Sequence, residues 1–276
     1  MLKTCKISEL KDSFYDFLTR DHRGLMTGIP EFDNQLLGLP GMTTLRGDPK
    51  AGKSMLVTQM VINILESGIP VYQIDRENGP NELQLRALAN ISGVPREVIR
   101  SKNYKDNETK GLQDASTNLY NCDWYINTKA ETTTRDVIKE DILELLKTND
   151  KVLLVVDSLH SMPPLDSDPN HNVTLWLQFL EDFKKDYEGH LYILSVAEKV
   201  KAAFNDTTSR LGSGAGTRKL DYAGDLILEL KFNPESKIRS LYCIGNRHGE
   251  CFFEVCKFSK PDTETFCCRF EPVGVF

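Results

Sequence analysis

Residues 47–54 read Gly-Asp-Pro-Lys-Ala-Gly-Lys-Ser, and they constrain this chain more than any other stretch. Gly47-x-x-x-x-Gly52-Lys53-Ser54 is the Walker A pattern, a phosphate-cradling loop between a strand and a helix. Its surroundings agree. Met42–Arg46 reads as a short buried strand, and residues 53–66 read as a helix ending near Gly68. Gly47 and Gly52 let backbone N–H groups turn inward, with Asp48, Pro49, Lys50 and Ala51 completing the loop. Lys53 is placed to reach the β- and γ-phosphates, and the Ser54 hydroxyl to ligate Mg²⁺. The helix N-terminus, running into Met55, adds positive potential at the same place. ATP and Mg²⁺ are the cofactors this implies.

Two further acidic positions fit the same chemistry. Val152–Asp157 is an apolar strand with an Asp at its carboxyl end, the Walker B arrangement, and Asp157 there would hold Mg²⁺ through water. Val71–Asp75 is a strand running into Arg76, Glu77 and Asn78. A carboxylate there can orient and deprotonate an attacking water, with Glu77 the first choice and Asp75 the competitor.

The rest of the chain predicts one α/β domain. Helices are expected at 81–89, 136–147 and 175–186, and strands at 70–75 and 191–196. Residues 101–118 read as loop with a short helix, and strands at 226–230, 240–244, 251–255 and 265–270 finish the sequence. Alternating apolar strands and helices belong to a mostly parallel, doubly covered sheet, and the last strands to antiparallel additions at one edge. Residues 1–24 form an N-terminal segment and 25–276 the domain. In the former, Ile7, Leu10, Phe14, Phe17 and Leu18 recur at helical spacing. Such a helix usually packs on its own core; docking on a neighbouring subunit is the alternative.

Composition excludes several classes. A net charge of −6 argues against a general polyanion coat, though not against a local basic groove. Seven Cys without a Cys-x-x-Cys pair speak against zinc and against a secreted disulfide framework. The start shows no signal peptide, and no apolar run approaches membrane-spanning length, so the cytoplasm is the expected location.

Together these residues resemble the RecA-like ATPases, and within them the hexameric branch of DnaB-type helicase motors, RadA (Sms) and KaiC. Thr27-Gly-Ile-Pro-Glu-Phe-Asp33 resembles the opening sequence of that branch, and Glu77 falls at the position of its catalytic glutamate. Gly245-Asn-Arg-His-Gly249 resembles its Lys-Asn-Arg-x-Gly element, and Ala223-Gly-Asp225 its Asp-Ala-Asp strand start. The resemblance implies that Arg247 is a finger acting on the nucleotide of the next subunit, hence a homo-oligomer, with a hexameric ring favoured over a filament. Two departures bear on that coupling. Gly245 replaces the usual Lys, leaving Arg218 and Lys219 to stand in, and Val196 replaces a polar γ-phosphate sensor, with Glu198 the next acidic residue.

The class also places two loops toward the strand it acts on. Residues 158–173 hold no Lys or Arg, whereas 198–219 hold Lys199, Lys201, Arg210, Arg218 and Lys219 with three glycines, suited to phosphate contacts. The leading expectation is an ATP-driven, DnaB-like helicase or translocase on single-stranded DNA. About 25 residues precede the motor, so no second large domain is expected, and a separate loader or replication protein fits as partner. A recombinase or recombination mediator, toward which Asp157-Ser158 leans, and a KaiC-like scaffold ATPase without nucleic acid are the alternatives.

Overall fold

Every residue of the strands carrying the predicted site is buried, which is what a sheet covered on both faces requires. The computed structural model describes residues 6–19, 23–198, 224–259 and 270–273. In chain order its elements are α1 (Lys11–Thr19), α2 (Pro30–Leu36), β1 (Met42–Gly47), α3 (Lys53–Glu66), β2 (Val71–Asp75) and α4 (Pro80–Ser92). Then come α5 (Arg96–Ser101), α6 (Asp106–Tyr120), β3 (Trp124–Asn127), α7 (Arg135–Leu146), β4 (Val152–Asp157), α8 (Pro169–Asp186) and β5 (Leu191–Glu198). The remainder is β6 (Leu226–Phe232), β7 (Arg239–Asn246), β8 (Phe253–Ser259) and β9 (Glu271–Val273).

The nine strands form one sheet in the order β3-β2-β4-β5-β1-β6-β7-β8-β9. The first six positions are parallel and the last three antiparallel, as the sequence predicts. Alternate residues of each central strand face opposite layers. Leu153 and Val155 of β4 join the core under α3, with Leu56, Val57, Met60 and Ile64. Val152, Leu154 and Val156 join the core under α7 and α8, with Ile142, Trp176, Leu180 and Phe183. The fold is the RecA-like α/β sandwich expected.

Several elements differ from their expectation. Residues 101–118 are mainly one 15-residue helix, α6, of which only Ala115 and Leu119 are buried. Apart from Leu112 and Tyr120 its other positions are polar or Gly, so its apolar stripe is too thin to signal a helix. The edge strand β3 is half-exposed and shows no alternation. Helix α2 lies where Gly and Pro suggest only a turn, with Pro30 in its first turn, the one helical place proline suits. Helix α8 starts at Pro169 rather than 175, and β8 runs Phe253–Ser259 rather than 251–255. The strand expected at 265–270 falls outside the described residues except for Phe270, and the described strand β9 follows it. On the N-terminal helix, Ile7, Phe14 and Leu18 are exposed, so those side chains do not serve the local core.

Candidate active site

The Walker A residues form a strand, loop and helix in that order: β1 ends at Gly47, the loop runs through Gly52, and α3 begins at Lys53. Both glycines are required. A Cβ on Gly47 would lie 2.5 Å from the Leu230 carbonyl oxygen, and Gly52 sits at φ 103°, a left-handed conformation. Lys50 also takes a positive φ, 65°. Lys53 Nζ donates to the carbonyls of Gly47 (2.9 Å) and Asp48 (3.1 Å), so the ammonium lies over the loop it belongs to. Burial lowers its pKa, opposed by the surrounding carboxylates Glu198, Asp157, Glu77 and Asp48.

The sheet register assembles the remaining groups. Asp75 and Asp157 are paired at the ends of β2 and β4, and Glu198 ends β5 beside Gly47. Asp157 is buried and hydrogen-bonded to the Ser54 side chain. Burial and the facing Asp75 push its carboxyl up to about 6. This crowding of carboxylates beside a hydroxyl is the donor chemistry that a hard divalent cation suits. Among the described residues no three His, Cys, Asp or Glu side chains form a metal cage, and Mg²⁺ needs none where phosphate and water supply its other oxygens.

The turn after β2 distinguishes Glu77 from Asp75. Asp75 Oδ1 accepts from the backbone N–H groups of Glu77 (3.0 Å) and Asn78 (2.8 Å), and the Asn78 side chain closes the loop. Arg86 of α4 holds Asn78 at 3.0 Å, and Arg76 is tied to the Thr128 carbonyl at 2.9 Å. Asp75 is thus committed to shaping the turn. Glu77 instead reaches across to β4, where Ser158 Oγ donates to its Oε1 at 2.8 Å. Ser158 as the partner of Glu77 was not foreseen from the sequence, because nothing local links residues 81 positions apart.

Arg247 is not part of this cluster. Strand β7 runs antiparallel to β6, so its start at Arg239 touches the phosphate loop and its far end carries Arg247 away from it. Eight residues of strand separate the two, about 25 Å. There Arg247 pairs with Asp225 (3.1 Å), which also binds Lys184 (2.8 Å) and the Met42 N–H (2.9 Å). The two departures have plain packing consequences. Val196 is buried in the core under α3, and a Cβ at Gly245 would meet the Ile227 side chain at 3.1 Å. Arg239, which sequence reasoning also missed, lies directly beneath Gly52. Lys199, Lys201, Arg210, Arg218 and Lys219 lie outside the described residues.

Residues 24–188, more than half of the chain, match the DnaB-like helicase C terminal domain family. The chain belongs to that family. Two solved structures share the fold of this DnaB-type domain at low identity. A DnaB-like replicative helicase, solved with attention to its interactions with primase, is 16% identical with a TM-score of 0.82, over 96% of this chain and 68% of that one. The ATPase domain of G40P is 15% identical with a TM-score of 0.84, over 99% of this chain and all of the other. The RadB recombinase is more distant in shape, with a TM-score of 0.55 at 20% identity, over 86% of this chain and 96% of that one. No curated protein matches the sequence. Among the described residues no helix is long and apolar enough to cross a membrane.

Proposed function

We propose that this DnaB-type domain is an ATP-hydrolysing motor that acts on single-stranded DNA as a homo-oligomer in the cytoplasm. The observation that carries the reading is the convergence of Lys53, Ser54, Asp157 and Glu77 at the carboxyl ends of the parallel strands β1, β4 and β2. The loop from Gly47 to Met55 wraps the phosphates, and Lys53 moves from its own carbonyls to the β- and γ-oxygens. Mg²⁺, which Ser54 and, through water, Asp157 would hold, would supply neutralisation of the phosphate charge. Glu77, steadied by Ser158, orients the attacking water and accepts its proton.

Arg247 serves a neighbour's nucleotide. It stands about 25 Å along β7 from its own phosphate loop, too far to reach it, and it is half-exposed. The exposed apolar residues Ile7, Phe14, Tyr15 and Leu18 give the N-terminal helix a face that fits a second copy of the chain. The basic residues of the 198–219 segment, which leaves β5 at Glu198 beside the phosphate loop, contact the strand's phosphates. Steady-state ATP hydrolysis with and without single-stranded DNA, beside Lys53→Ala, tests the reading. DNA should stimulate turnover, and the variant should abolish it. Hydrolysis indifferent to DNA, with no binding at low salt, would sink the nucleic-acid role and favour a scaffold ATPase.

A further inference from the structure

A buried cation lies beneath the phosphate loop, and among the described residues no salt bridge pairs it with an anion. Arg239, the first residue of β7, is only 9% exposed. Its Nε donates to the Ala51 carbonyl at 2.8 Å. Its Nη1 is buried and has no hydrogen-bond partner among the described residues. The guanidinium lies over two aromatic rings, 4.4 Å from the centroid of Phe232 and 5.4 Å from that of Phe270. Phe270 is itself fixed, stacked on Phe258 and bonded through its backbone N–H and carbonyl to the Gln59 side chain of α3. A Cβ on Gly52 would come within 3.0 Å of both the Arg239 Nε and the Phe270 ring.

An unpaired buried charge is costly, and aromatic faces offset only part of that cost. The arrangement also adds positive charge where Lys53 and the N-terminus of α3 already supply it. A buried charge of this kind destabilises the protein alone and is relieved by a polyanion bound just above. We propose that Arg239 is a positioning residue for the nucleotide: it fixes the phosphate loop through Ala51 and supplies buried positive charge to the phosphates. The C-terminal strand thereby becomes part of the nucleotide site, because Phe270 links Arg239 to Gln59 on the phosphate-loop helix. This inference rests on the nucleotide-binding reading above.

The test compares wild type, Lys53→Ala, Arg239→Met and Arg239→Lys, measuring melting temperature with and without ATP and the Kd for ATP. Met keeps the length and apolar bulk while removing the charge; Lys keeps the charge but not the flat, Ala51-directed donor. Arg239→Met should melt no lower than wild type without nucleotide, bind ATP about tenfold more weakly, and lose at least half of the ATP-induced rise. Arg239→Lys should fall between. If Arg239→Met melts lower without nucleotide yet binds ATP within twofold of wild type, Arg239 is merely structural and the proposal is overturned. Should that variant fail to fold, wild-type ATP affinity in Arg239→Lys overturns it equally, and weakened affinity at an unchanged melting temperature supports it. A wild type that shows no ATP-induced rise, like Lys53→Ala, would instead remove the nucleotide reading itself and this inference with it.

Discussion

Asp225 shows how much one side chain can organise. It is 4% exposed, and it gathers the Met42 N–H, Lys184 and Arg247 at the end of the sheet away from the phosphate loop. Burial works against its charge, but Lys184, the Met42 N–H and Arg247 outweigh it and hold the carboxyl below its ordinary range. The stability it contributes is therefore present above the unfolded carboxylate value, about 3.9, and is lost as pH falls through the lower folded value. Asp225→Asn should cost about 3 kcal/mol at pH 7, mostly by stranding the partly buried Lys184 ammonium. The gap between variant and wild type in denaturant titrations should close in strong acid. An equal gap at every pH would show the cost to be steric rather than ionic. At the opposite end of the sheet, the Ser158 hydroxyl holds Glu77. Glu77→Gln should leave ATP binding intact while turnover falls about 100-fold or more, since a positioned base contributes at least that factor. Turnover near wild type would move the base elsewhere.

Among the elements, α8 bears most directly on the site, because it secures the loop that follows Asp157. Trp176 is fully buried, packs edge-on against Phe179, and donates its Nε1–H to the Pro163 carbonyl at 2.9 Å. Trp176→Ala should cost about 3–5 kcal/mol. The denaturation midpoint should drop with an unchanged slope, and a midpoint near wild type would mean that the layer can collapse around the gap. Elements of this kind were readable in advance because burial leaves a strong apolar pattern. The central strands, and with them Asp157 and the turn at Glu77 at their ends, are legible for that reason, and the phosphate loop is legible from its Gly47-x-x-x-x-Gly52-Lys53-Ser54 spacing. What stayed hidden depends on few or distant contacts. Helix α6 buries only Ala115 and Leu119, and α2 is fixed by Asp33, which binds Thr27 and Gly28 at 2.8–2.9 Å. Arg239 and Ser158 act across gaps of 188 and 81 residues, a reach that periodicity and local motif cannot express.

At the scale of the whole molecule, the sheet carries the phosphate-loop cluster and the proposed finger at opposite ends. Lys53 and Glu77 sit where the parallel strands finish, while Arg247 sits beside Asp225, where β6 begins. A single copy cannot bring them together without unravelling β7. On the role proposed above for Arg247, a complete site forms only where the Arg247 end of one copy meets the phosphate end of another, which calls for a head-to-tail arrangement, closed as a ring or extended as a filament. The arrangement makes a prediction that a self-contained ATPase does not. Lys53→Ala and Arg247→Ala should each be inactive alone, the first lacking the phosphate-loop lysine and the second the finger. In a one-to-one mixture, an Arg247→Ala copy keeps an intact phosphate loop and can face a Lys53→Ala copy that keeps its finger. Random assembly gives about one quarter of interfaces this complete pairing, so about a quarter of wild-type turnover should return. Recovery should track the slow exchange of subunits after mixing. A mixture as inactive as its components would mean that Arg247 belongs to the Asp225 cluster and serves no neighbour.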